Sequence, residues 1–195
     1  MSEAMSEALP RQTLHKRVSG AVLEGAARIF AIQGEQANMN DVAAAAGVAR
    51  ATVYRYFPNR EALLEALAQA TVSDVDARLA SARINEVAPE EGIARAVRAL
   101  VDVGDSFVLL ARGRLRSDPE RFERSLTQPL RQLFERGQAD GDIRDDITSA
   151  RLSEAMIGLI VGVVTSTPPL GNEDMTATIN GLFLDGARAR GPRIH

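Results

Sequence analysis

NMNDVAAAAGVARATVYRYFPNR, residues 38–60, is the stretch whose reading decides the fold. Asn38 is placed to cap a helix, and Asp41, three residues on, completes something close to a capping box. The first helix then runs from Met39 to Ala46 and is mostly alanine, the strongest helix former. Gly47 ends it, because the residue just past a helix end often needs positive φ, which glycine adopts without steric cost. A second helix starts near Ala49 or Arg50 and stops before Pro58, since the residue preceding a proline is disfavoured in the helical region. Ala43, Gly47 and Val53 lie four and six residues apart. Small Ala43 lets the two helices cross closely, Gly47 makes the turn, and Val53 fills the angle between them. Val42, Ala46, Val48 and Tyr56 take the remaining inward positions. Arg50, Ala51, Thr52, Tyr54 and Arg55 are left pointing outward, a donor-rich set suited to phosphates and base edges in a major groove. An ordinary αα-hairpin is the plain alternative.

The segment from Asn40 to Leu64, NDVAAAAGVARATVYRYFPNREALL, resembles the TetR family of bacterial repressors, and TVYRYFPNREAL within it is close to that family's signature. The resemblance is strong over about the first third of the chain; beyond it, only length and helical character are similar. It implies an all-α fold: an N-terminal three-helix DNA-binding domain with a helix-turn-helix, then a C-terminal helical domain for ligand binding and dimerisation. It also implies that Tyr54, Tyr56 and Arg60 touch DNA phosphates, while Arg50, Thr52 and Arg55 lie at or near base edges. Tyr56 and Phe57 read equally as core, and Arg60 as a solvated charge. Ala49 departs from the pattern, because many members carry a capping Ser or Thr there; the missing cap is expected to cost about 1 kcal/mol.

The charge balance of the 195-residue chain fits such a division. The net charge is −3, yet Arg11 to Arg60 carries seven basic and three acidic residues, or +4, which leaves −7 for the rest. A basic head on an acidic body suits a small DNA-reading module joined to something that does not touch DNA. There is no cysteine, hence no disulfide framework or thiolate metal site. No signal peptide is visible, and the longest apolar run, within Ala155 to Val164, is too short to span a bilayer. A soluble cytoplasmic protein without membrane association is the expectation, with no cofactor and no metal.

Outward from the central stretch, residues 1–10 repeat Met-Ser-Glu-Ala without a core pattern and read as a disordered arm. Arg11, His15, Lys16 and Arg17 follow, and read either as an arm reaching toward DNA or as a solvated tail. The reader then spans 11–58, and the effector-binding and dimerising body 59–195. A first helix from about Thr13 to Gln33 shows Val18, Val22, Gly25, Ile29 and Ile32 on one face, widened by Ala26 and Phe30. After Asn59, a candidate cap, a long helix carries Leu63, Leu64, Leu67 and Ala70, then Val72, Val75 and Leu79. Pro89-Glu90-Glu91 opens a helix that continues through Phe107 and Leu110, and Ser117-Asp118-Pro119 opens another, in which Pro129 predicts a kink.

Asp102, Phe107, Leu110, Phe122, Leu126, Met156 and Ile160 form the candidate pocket for a small-molecule effector, with Asp102 facing either a ligand or solvent. The last two helices supply a candidate homodimer interface: Leu152, Met156, Leu159, Val163, Ile179, Leu182 and Phe183. The other reading puts both helices in the core of one protomer. Gly104-Asp105-Ser106 resembles the box of a hydrolase family, but it falls inside a predicted helix, and the two histidines, His15 and His195, lie in the terminal regions; no enzyme is expected. The sequence therefore points to a dimeric, ligand-responsive regulator on a palindromic double-stranded operator, most simply a repressor. A helical protein-interaction module that keeps the helix-turn-helix shape is the alternative.

Overall fold

The computed structural model describes residues 2–189, with side chains from residue 14 onward. The reading of residues 1–10 as an arm lies outside the residues whose side chains are described. The described backbone is helical apart from its connections, with one isolated antiparallel bridge between Ile143 and Arg188. The chain divides into two compact units, Met1–Ala68 and Gln69–His195.

In the first unit, α1 (Ser2–Gln33) is followed by α2 (Met39–Ala45), α3 (Arg50–Tyr56) and the start of α4 (Arg60–Ala82). Val22, Ala26 and Phe30, spaced four apart, form a row of buried side chains along α1. Ile32, expected on that face, is 74% exposed, because the row leaves it on the far side of the helix. Gly25 faces α2 at a distance no other residue permits: a Cβ there would stand 2.8 Å from the backbone nitrogen of Ala46. One turn on, Arg28 Nη2 donates to the carbonyl of Ala45 at 2.6 Å, satisfying an oxygen that the end of α2 leaves without a helical partner.

The second unit contains α5 (Pro89–Val101), α6 (Asp105–Ala111), α7 (Pro119–Phe122), α8 (Gln128–Asp140), α9 (Ser149–Val164) and α10 (Asn172–Ala187). The single helix expected from Pro89 through Leu110 is broken. Asp102 caps α5, and Gly104, with φ of +70°, redirects the chain into α6. Apolar residues continue through the break, so periodicity alone does not register it. The kink expected at Pro129 takes the form of a π-helical turn over Glu123–Thr127, just before α8. Such a turn accommodates the proline ring and the missing N–H.

α5 packs against α8, α9 and α10. Their core holds Val97, Leu100, Leu130, Leu133, Ile179 and the ring pair Phe134–Phe183, with centroids 5.7 Å apart. The corner between α4 and α5 is fixed by one side chain of α8: Arg136 donates to the carbonyls of Ile84 (3.2 Å), Asn85 and Val87 (2.7 Å). Arg83, with φ of +51°, starts that corner. At the other end, Arg188 meets Glu90 through two bonds of 2.7 and 3.1 Å, tying the end of α10 to the first turn of α5 and holding the Glu90 carboxyl below its ordinary range.

Gly92 gives the corner its clearance, since a Cβ there would lie 2.4 Å from the Ile84 carbonyl oxygen and 2.6 Å from Leu133 Cδ1. Gly92→Ala is expected to lose about 1–3 kcal/mol of stability in urea unfolding despite its better helix propensity, because the added methyl overpacks a closed site. An unchanged or raised midpoint would show that the corner yields.

Candidate nucleic-acid interface

The helix-turn-helix is built from local bonds that its sequence specifies. Asn38 Oδ1 accepts from the backbone N–H groups of Asn40 (2.8 Å) and Asp41 (3.3 Å), and Asp41 Oδ2 accepts in return from the N–H of Asn38 at 3.0 Å. This capping box starts α2. Gly47 takes φ of +66° in the turn, and the N–H of Val48 reaches back to the Ala43 carbonyl at 3.0 Å. Val53 is fully buried, with Val42 and Ala43 beside it, so the inward set holds the two helices together by apolar contact. Asn59 Oδ1 accepts from the N–H of Ala62 at 2.8 Å and caps α4.

The outward face of α3 carries Arg50, Ala51, Tyr54 and Arg55, all exposed, with Thr52 partly buried. Two of these form an amphipathic pair: the Arg50 guanidinium lies over the Tyr54 ring at 5.2 Å. Arg55 stands likewise over Tyr56 at 5.3 Å. Tyr56 is half-buried, and its ring also meets the His15 imidazole of α1, with centroids 4.4 Å apart and planes at 39°. Arg60 is half-buried too; its guanidinium lies 5.0 Å from the Phe30 ring, and its buried Nε has no partner. The six expected contact residues thus share one region of the first unit, four from the outer surface of α3 and two from its margin. His15 belongs with them. No spacing rule announces it, because the contact joins residues 41 positions apart in sequence on two different helices.

The expected effector pocket is distributed differently. Phe107, Leu110, Leu126, Met156 and Ile160 are buried in the second unit, and Phe122 is half-buried against that core. Asp102 is not among them. It is exposed, accepts from Asn172 Nδ2 at 3.1 Å, and lines an open groove of about 390 Å³ with Arg78, Arg95 and Arg98. The expected dimer residues also separate. Leu152, Met156, Ile179 and Phe183 pack into the protomer's own core, Leu159 and Val163 are partly buried, and Leu182 is 62% exposed. The exposed positions of α9 and α10 include Ala155, Gly158, Gly162, Ala177, Gly181 and Leu182, alongside polar residues such as Arg151, Glu154, Thr178 and Asp185. Gly104-Asp105-Ser106 sits at the start of α6, where the Ser106 hydroxyl donates to the Val103 carbonyl at 3.2 Å. Among the described residues no helix is long and apolar enough to cross a membrane.

Residues 22–67 match the profile of bacterial regulatory proteins of the tetR family. The chain is 25% identical over 162 residues to the transcriptional regulator NfxB of Pseudomonas aeruginosa, covering 78% of this chain and 85% of that one. It is 38% identical over 94 residues to the transcriptional repressor LfrR of Mycolicibacterium smegmatis, or 46% of this chain and 47% of that one. The crystal structure of LfrR superposes over 89% of this chain and 98% of its own with a TM-score of 0.70. AibR, solved with isovaleryl coenzyme A and operator DNA, is 19% identical and superposes over 85% of this chain and 97% of its own, with a TM-score of 0.66.

Ala49 occupies the cap position of α3 with the extended backbone a cap requires (φ −68°, ψ 145°) but supplies no side-chain acceptor. Ala49→Ser is expected to raise stability by about 1 kcal/mol in thermal unfolding. No gain would mean that a serine there finds no bond to the first turn.

Proposed function

We propose that this chain, whose residues 22–67 match the profile of the tetR family of bacterial regulatory proteins, is a homodimeric repressor which binds a palindromic operator through α3 and is released by a small molecule. The observation that carries this reading is the outward face of α3. Arg50, Thr52, Tyr54 and Arg55 stand on one short helix whose buried side is spent on Val53, so four donor side chains are presented without any cost to the fold. On DNA, Arg50, Thr52 and Arg55 meet base edges, while Tyr54, Tyr56 and Arg60 meet phosphates. The apolar parts of the tyrosines hold the neighbouring guanidiniums in place before DNA arrives.

A dimer follows from the operator's symmetry, since two identical readers need two half-sites. The outward strip of α9 and α10 supports a copy-to-copy contact. Gly158, Gly162 and Gly181 have open space where a Cβ would stand, and Leu182 is exposed between them. Small residues with one large apolar neighbour allow helices from two copies to approach closely. The effector acts by its differential affinity for two arrangements of the dimer, only one of which spans two half-sites. LfrR has been solved with proflavine and AibR with isovaleryl coenzyme A; for this chain a small molecule held in the second unit is the corresponding reading.

Two measurements test this. Anisotropy on duplex DNA from upstream of its own gene is expected to show tight, salt-sensitive binding, with Arg55→Ala weakening it by about 10-fold or more; if Arg55 also contacts a phosphate, the log–log salt slope falls by about one. Failure of the wild-type protein to bind that DNA or any selected duplex sinks the reading. Sedimentation of Gly162→Leu is expected to shift the protein from dimer to monomer with little change in helicity. Within an isolated protomer the same change is harmless or slightly stabilising, because the position is open and glycine is a poor helix former.

A further inference from the structure

Among the groups at the edge of the reader, His15 is the one that the function just proposed does not use. It is exposed on α1, yet its imidazole is committed to the Tyr56 ring of α3 at 4.4 Å. That is close for two rings tilted by 39°, and within the range where aromatic pairs attract beyond simple burial. The Arg55 guanidinium lies 5.3 Å from the same Tyr56 ring. Tyr56 is the last residue of α3 and has two χ torsions between its backbone and its hydroxyl. The helix backbone therefore does not by itself fix where the hydroxyl stands.

We propose that His15 is a positioning residue for DNA binding: by packing on Tyr56 it selects the ring orientation that aims the Tyr56 hydroxyl at a phosphate and keeps Arg55 over the same ring. The inference rests on the reading of α3 as the DNA-contacting helix. It adds to that reading a link from α1 into the contact surface. The link lets a side chain with no DNA contact of its own set the affinity. Among the described residues the other ring contact of Tyr56 is the looser one with Phe57, whose centroid is 6.5 Å away, so His15 is the closer ring partner.

The chain has two tyrosines, Tyr54 and Tyr56, and no tryptophan, so in full-length Tyr54→Phe the tyrosine emission comes from Tyr56 alone. Recorded without DNA, that emission is expected to change in intensity when His15→Gln removes the ring packed on Tyr56, and to be unchanged by His195→Gln, which removes the other histidine. Emission unchanged by His15→Gln overturns the contact. On a duplex selected by the wild-type protein from a random-sequence library, His15→Gln is expected to bind about three- to tenfold more weakly through faster dissociation, and His15→Phe, which keeps the ring, to return affinity to within about twofold. Equal loss in both variants, or no loss in either, overturns the positioning role. If the wild-type protein selects no duplex at all, the DNA-binding reading fails, and the positioning role fails with it. That outcome is recognisable because the fluorescence measurement does not involve DNA.

Discussion

Everything in the first unit depends on a missing Cβ. At position 25 the backbones of α1 and α2 come so close that a methyl group would be pressed against the amide nitrogen of Ala46. The contact is made at the last turn of α2, immediately before the Gly47 turn. The direction in which α3 leaves is therefore set by how near α1 is allowed to come. Arg28 reinforces the same junction from the polar side by taking up the Ala45 carbonyl. Dispersion attraction and one hydrogen bond act at one point, and both would be lost if the helices separated by the width of a methyl. Val53, Val42 and Phe30 then close the apolar side. Arg50, Ala51, Tyr54 and Arg55, on the outward side of α3, stay exposed.

The first unit was legible in the sequence because its determinants are short-range. A cap bonds three residues ahead, a turn glycine is needed at one backbone position, and a proline stops a helix where it stands. Asn38, Asp41, Gly47, Val53 and Asn59 each have one structural role, and each fills it here. The second unit was less legible because its determinants are long-range. The chain break at Asp102 to Gly104 lies within a continuing apolar pattern; Gly104 redirects the chain there, and α6 packs on α9. Ile32 shows the converse: an apolar residue at acceptable spacing that no neighbour covers. For α9 and α10, hydrophobicity pointed to Leu152, Met156, Ile179 and Phe183, the residues the protomer claims for its own core. Part of the outward surface falls to alanines and glycines, whose small side chains give almost no signal on a hydropathy scale.

The second unit distributes its polar groups by the same logic of satisfied ends. Arg136 takes three carbonyls at the α4–α5 corner, Gln138 donates through Nε2 to the carbonyls of Arg144 and Ile147, and Arg188 binds Glu90. Each brings a side chain to backbone oxygens or a carboxylate at a place where helical bonding has stopped. The loops between helices are thereby fixed to the helical frame at several separate points. Asp102, at one such end, is likewise engaged by Asn172.

α3 has seven residues, fewer than a helix needs to persist in water by itself. Cut from its surroundings, Arg50–Tyr56 would be a random peptide with the right letters and no shape. Its helicity is lent by α1 and α2 through the residues it buries, so the smallest piece that could be transplanted into another protein with its shape intact is the whole first unit, not the helix alone. Within that piece the seven positions divide their tasks. Arg50, Ala51, Tyr54 and Arg55 can each be exchanged without touching the core, whereas a change at Val53 would disturb the placement of all of them at once.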